Sequence, residues 1–214
     1  MKDFPVFTTD TGVSSLTLKE IPYRKEAYIE VRDVQPGGLG DHLAECASFC
    51  RIAGAEHVYA AAHQSLEDYP FHVSVIEMRG DARPDEDQLE NIWPVTSETA
   101  AAWRRIYNER MLGVDLSSTL EAKDEETIAS SGGAYFIHSR GTLLGIGWLE
   151  GETLKALAAV EPGAGLRVAS TLLSVQPGQS LRLEVASTNQ RAIRLYERLG
   201  FLKTAELTRW YKII

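Results

Sequence analysis

Residues 181–201, LRLEVASTNQRAIRLYERLGF, leave the chain little freedom. Over 181–186 apolar and polar residues alternate, so Leu181, Leu183 and Val185 share one face of a strand and Arg182, Glu184 and Ala186 the other. From Asn189 to Leu199 the spacing becomes helical, and Gly200 supplies the stop. Asn189 stands at the helix start, where its amide can cap free N–H groups. Ala192 and Tyr196 are four apart and share a helix face, with the small residue leaving room for a ligand chain one turn above the tyrosine. Phe201 turns back toward the core.

The same reasoning extends along the chain. Residues 27–34 and 58–62 are strand candidates around a helix over 41–53 that Gly54 ends, and 71–78 is a further strand. The polar, acidic stretch GDARPDEDQLE reads as a linker over 81–90. A strand over 92–95 follows it, then a helix that Ser97 caps and Gly113 stops, and a short polar helix over 123–131. Three strands with tight turns cover 134–138, 143–149 and 154–160. A helix over 166–175, the strand 181–186, the helix 189–199 and a last strand over 207–213 complete the order β-α-α-β-β-β-α-β-α-β. The expected fold is α/β (α+β): a mixed, mostly antiparallel sheet flanked by helices over 91–214, with a smaller β/α domain over 1–80. A strand–PGxG–helix–strand pattern recurs at 34–62 and 160–186, a hint of an internal repeat.

Composition excludes several classes. The 214 residues are 44% hydrophobic and carry a net charge of −8, which argues against a general nucleic-acid binder. No apolar run approaches the roughly 20 residues that cross a bilayer, and the chain start holds Asp3 and Asp10 and no secretion signal. Two cysteines make no disulfide framework, so a cytoplasmic setting is expected. The charge is uneven: residues 1–90 carry a net −9, while 167–212 hold eight basic residues against three acids, which fits either an anionic ligand or a solvated helix face.

Asn189, Ala192, Tyr196, Gly200 and Phe201 fall at the offsets Asn-x-x-Ala-x-x-x-Tyr-x-x-x-Gly-Phe. With the element order of 91–214, this resembles the acyl-CoA-binding end of the GNAT superfamily of N-acetyltransferases. The resemblance implies an enzyme that moves an acetyl group from acetyl-CoA, a co-substrate, to a small-molecule or peptide amine by direct attack in a ternary complex. Acetyl-CoA lies between splayed strands, with the backbone of Ala158, Ala159 and Val160 pairing with pantetheine and Asn189 and Ala192 beside it. Tyr196 would serve the leaving group: a thiol ionises near about 8.5 and a phenol near about 10, so a phenol can protonate or stabilise the departing sulfur. The resemblance also implies a carboxylate base on the central strands, for which Glu184 is taken, with Glu150 and Glu152 as alternatives. No metal, nucleic acid or membrane is expected; a homodimer is left open.

The family's pyrophosphate loop is Gln/Arg-x-x-Gly-x-Gly/Ala, and here VEPGAGLRVA departs from it. Ala169 fits the last small position, Arg167 replaces the middle glycine, Ala164 replaces the first residue, and one residue is missing. Gly163 and Gly165 still permit close backbone approach, and Arg167 can either pair with a phosphate or block the cradle. QPGGLG, Gln35 to Gly40, matches the formula in full, so 1–80 reads as a truncated GNAT-like half without its own tyrosine. The alternative is a non-catalytic GNAT-fold module that binds a ligand or partner, and a third reading has a longer acyl donor.

Other groupings are weaker. Cys46 and Cys50 with His42 and His57 match no structural zinc spacing. Glu121, Asp124, Glu125 and Glu126 can attract a cationic amine or form a solvated face. His138 ends a strand near the expected cleft, and the four tryptophans read as packing.

Overall fold

The structure, a computed structural model, describes residues 5–214. The first residues of the chain start discussed above lie outside them. In chain order the elements are β1 (Val6–Thr8), β2 (Gly12–Thr17), α1 (Ile21–Arg24), β3 (Glu26–Val34), α2 (Leu39–Ile52), β4 (His57–Ala61), β5 (Phe71–Asp81), β6 (Asn91–Pro94), α3 (Ala100–Met111), α4 (Glu125–Ser130), β7 (Ala134–Ser139), β8 (Thr142–Glu150), β9 (Thr153–Ala159), α5 (Gly165–Leu173), β10 (Ser180–Ala186), α6 (Gln190–Arg198) and β11 (Leu202–Lys212). The chain divides into two compact units, residues 1–74 with 208–214 and residues 75–207, and the divisions fall inside β5 and β11. The boundary therefore differs from the expected linker.

The first unit is a small sheet with one helix. β2 is antiparallel to β1 and β3, β3 is parallel to β4, and the end of β11 is antiparallel to β4. α2 makes the β3–β4 crossover, as parallel neighbours require. Ala27, Ile29 and Val31 alternate onto the core face and meet Leu43, Cys46, Ala47 and Cys50 of α2, all buried. β1 and β2 were not expected; a three-residue strand and the Ser/Thr-rich GVSSLT carry almost no apolar alternation.

In the second unit β6 to β9 form an antiparallel run, and β10 pairs antiparallel with β5 over seven residues from Ser180↔Asp81 to Ala186↔Val75. α3 packs Trp103, fully buried, against Ile146 and Ala156; its indole N–H donates to the Tyr135 carbonyl at 3.0 Å. α5 covers the other face, where Gly145 and Gly147 let it sit close. A Cβ at Gly147 would lie 2.4 Å from Leu172 Cδ2. The expected helix over 97–113 starts later because the Thr96 and Thr99 hydroxyls and backbone form a turn first, and Thr99, not Ser97, is the N-cap.

Residues 81–90 are no free linker. The Ala82 N–H donates to Gln179 O at 2.7 Å, Asp85 N to Ser170 Oγ at 3.2 Å, and Glu90 N to Thr171 Oγ1 at 2.9 Å. This seam supplies partners for Ser170 and Thr171, polar groups that α5 buries almost completely. Among the described residues no helix is long and apolar enough to cross a membrane.

Candidate active site

β9 and β10 run parallel but meet at a single register pair, Thr153↔Arg182. Arg182 N donates to Glu152 O at 2.8 Å at the same end. On its other side β9 pairs with β8 with one extra residue: Trp148 faces Ala156 and Leu149 faces Leu154, so Lys155 is a bulge. Beyond it the two strands separate. The repeat suggested by the sequence has a counterpart in the first unit, β3–α2–β4, but there the parallel strands pair over five residues, Glu26↔His57 to Glu30↔Ala61, and leave no such gap.

Two cavities occupy the gap. The smaller, about 260 Å³, takes Leu154, Ala156 and Glu184 from the strands, Tyr107 from α3, and Asp115 from the following loop. The larger, about 500 Å³, runs from Ala158 and Ala159 to Gly163 and Gly165 at the start of α5. Asn189, Ala192 and Tyr196 of α6 line both. Arg191, Arg194 and Arg198 of α6 and Arg110 of α3 line the larger one alone. The smaller cavity thus holds two carboxylates and one lysine, Lys155, and the larger four guanidinium groups, and α6 stands at their junction.

The helix that makes the junction is held as its sequence dictates. Asn189 Oδ1 accepts from the Ala192 N–H at 3.1 Å, an N-cap, so the carbonyl half of its amide is engaged. Gly200 takes φ 89° at the far end. The Tyr196 ring packs on Phe201, with centroids 5.9 Å apart, and Tyr196 is 7% exposed. Its hydroxyl has no hydrogen-bond partner among the described residues, and burial raises its pKa well above the ordinary phenol value. The phenol therefore holds its proton at neutral pH. Between β10 and α6, Thr188 Oγ1 donates at 2.6 Å to Asp115 Oδ2 in the loop after α3, where Leu116 takes φ 60°, a left-handed backbone that is costly for leucine.

No family model and no curated protein matches the chain. Solved structures do. A GCN5-related N-acetyltransferase from Sphaerobacter thermophilus aligns over 94% of this chain and 75% of that one, with a TM-score of 0.53 and 15% identity. A GCN5-related N-acetyltransferase-like protein from Streptococcus suis 89/1591 aligns over 99% and 89%, at 0.51 and 11%. The chain has the GNAT fold. A conserved protein of unknown function from Staphylococcus epidermidis ATCC 12228 shares it over 99% of this chain and 94% of that one, at 0.55 and 12%. At these identities the likeness is one of fold.

Within the GNAT fold, eight of the residues singled out from the sequence line the cavities: Tyr196, Glu184, Ala158, Ala159, Gly163, Gly165, Asn189 and Ala192. Four do not. Val160 donates to the Leu144 carbonyl, Ala164 is fully buried as the N-cap of α5, and Ala169 is buried in the core. Arg167 neither faces the larger cavity nor blocks it: its guanidinium pairs with Glu90 at 2.8 Å. Contacts from Ser139 and Arg167 in turn lower the Glu90 pKa. Of the three base candidates only Glu184 lines either of these two cavities; Glu150 pairs with Lys155 at 3.2 Å. Three of the four acids at 121–126 are engaged elsewhere. Glu121 and Asp124 form a capping box, and Glu125 holds Arg104 at 2.8 Å.

The Gln35–Gly40 loop matches the glycine formula yet has the poorer setting. Gly38 lies against Thr11, and Asp41 occupies the first turn of α2, where it opposes an anion. Cys46 and Cys50 are buried thiols with pKa values pushed up to about 11, and His42 is fully buried between Thr9 and Ser14, each 2.7 Å from a ring nitrogen. Sequence reasoning missed Asp115, Tyr107 and Arg110. They lie about 75 to 90 residues from α6 in the chain, and nothing local marks them.

Proposed function

We propose that the protein is an acyl-CoA-dependent N-acyltransferase, most simply an acetyltransferase, with the donor in the larger cavity and the amine in the smaller. The observation that carries this reading is Tyr196, a buried phenol without a partner that lines the cavity with the guanidinium groups on one side and the one with the two carboxylates on the other.

The donor's phosphates suit the start of α5, where Ala164 caps without a side-chain hydrogen bond and the first N–H groups have no acceptor within the helix. Gly163 and Gly165 keep that backbone approachable, and Arg191, Arg194 and Arg198 add positive charge alongside. Pantetheine extends along β9 past Ala158 and Ala159, whose side toward β10 lacks a strand neighbour. In the reaction the neutral amine attacks the thioester carbonyl carbon, a C–N bond forms and the C–S bond breaks. The sulfur leaves with the electron pair and takes the proton that Tyr196 holds. The proton shed by the amine passes to Glu184 through water. Positioning of the two reactants accounts for most of the acceleration.

The test is Tyr196→Phe, assayed by release of free coenzyme A thiol. Loss of a positioned general acid lowers turnover by about 10²-fold or more, with the KM for acetyl-CoA little changed. Unchanged turnover would remove Tyr196 from the chemistry.

A further inference from the structure

We infer that the smaller cavity selects a small monocationic amine, one ammonium group on an apolar body, with Asp115 as the residue that sets this specificity; the inference rests on the acyl-CoA reading of the neighbouring cavity. Asp115 and Glu184 reach this cavity from different elements, the loop after α3 and strand β10. Thr188 orients the Asp115 carboxylate through its 2.6 Å bond. The one cation on the lining is Lys155, and it is already paired with Glu150. A ligand carboxylate would therefore meet two like charges and a lysine engaged elsewhere, which disfavours amino acids and other zwitterions. The rest of the wall mixes apolar side chains, Met111, Leu154 and Val185 among them, with Ser117, Ser118 and Asn189. When Asp115 and Glu184 both serve the one reacting ammonium, the lining holds no third carboxylate for a second one. The volume, about 260 Å³, equals the liquid share of about nine water molecules, so the body that fits is small. Tyr196, more than nine-tenths buried as a residue and lining this cavity, marks the wall at which the reacting group must arrive.

The experiment titrates the full chain, without donor, with four probes: phenethylamine, phenylalanine, 3-phenylpropionate and spermidine. The first three share one ring and differ in charge. Phenethylamine should bind at least about tenfold tighter than the other three, and Asp115→Asn should remove about tenfold of that affinity. Asparagine can still accept from Thr188, so the loop should hold and the melting temperature should stay. Glu184→Gln, at an exposed strand position, gives a second variant and should weaken the same probe by a smaller factor. Phenylalanine or spermidine binding as tightly as phenethylamine overturns the inference, and so does an absence of phenethylamine binding at millimolar concentration. A parallel titration with coenzyme A separates the two readings. Amine selectivity in a chain that does not bind coenzyme A upholds this inference and removes the donor reading; coenzyme A binding with no amine selectivity does the reverse.

Discussion

Thr153 and Arg182 face each other at the one register pair between β9 and β10, and Arg182 Nε donates to Thr153 Oγ1 at 3.1 Å. Both cavities lie on the open side of that contact. The bulge at Lys155 turns β9 away from β10, and α6 rises from the end of β10 to set Ala192 and Tyr196 into the gap.

Ala192 is the small residue that keeps the junction of the two cavities open. Ala192→Leu should fill it from a helix position that is only partly buried, so folding is retained. Coenzyme A should then cease to raise the melting temperature, since a ligand stabilises only the state that it binds. A thermal shift equal to that of the parent chain would place the donor elsewhere.

The two kinds of arginine near α5 should behave oppositely. Arg194 lines the larger cavity, and Arg194→Ala should weaken coenzyme A binding several-fold, with a shallower dependence on salt. Arg167 is paired with Glu90, so Arg167→Ala should leave binding unchanged and cost about 0.2–1 kcal/mol of stability, as a partly exposed ion pair does. Calorimetry and denaturant melts read both. Reversed roles would mean that the sequence position of the family's glycine loop, not the geometry, decides where the phosphates go.

Much of this was legible in the sequence, and the part that was not has a physical cause. Residues 181–201 announced a strand, a capped helix and a tyrosine, because burial on one face forces a period that the eye can follow. Arg167 was misplaced because its partner, Glu90, is 77 residues away and lies in a segment whose polarity suggested a linker. The strand β11 was expected from 207 and begins at Leu202; residues 202–207 are exposed and carry no apolar alternation. Asp115 is one acid among thirty acidic residues until the fold brings Thr188 to it.

Gly145 is required by packing rather than by backbone conformation. A Cβ there would stand 2.4 Å from the Ala158 carbonyl oxygen and 2.8 Å from Val168. Gly145→Ala should destabilise the chain by about 1–3 kcal/mol, read as a lower midpoint in a urea melt. A neutral effect would show that β8, β9 and α5 are less closely packed than described.

Stability should fall at both ends of the pH range. Burial holds the Cys46 and Cys50 thiols protonated up to about 11 and raises the Tyr196 phenol too. The folded state keeps these protons after the unfolded chain has lost them, so stability is full below about pH 9 and declines toward pH 11. Burial lowers the His42 pKa, so that group's contribution is full above about pH 6.5 and declines as the unfolded chain takes up a proton below it. Cys50→Ala should flatten the alkaline limb of a melting-temperature profile. An identical limb in that variant would contradict the assignment.

The most direct measurement is the crystal structure of the chain with coenzyme A bound. The account predicts the diphosphate at Gly163 and Gly165, the pantetheine along Ala158 and Ala159, and the sulfur within hydrogen-bonding reach of the Tyr196 hydroxyl. Coenzyme A on the Gln35–Gly40 loop, or a gap between β9 and β10 that stays closed to it, would contradict that prediction.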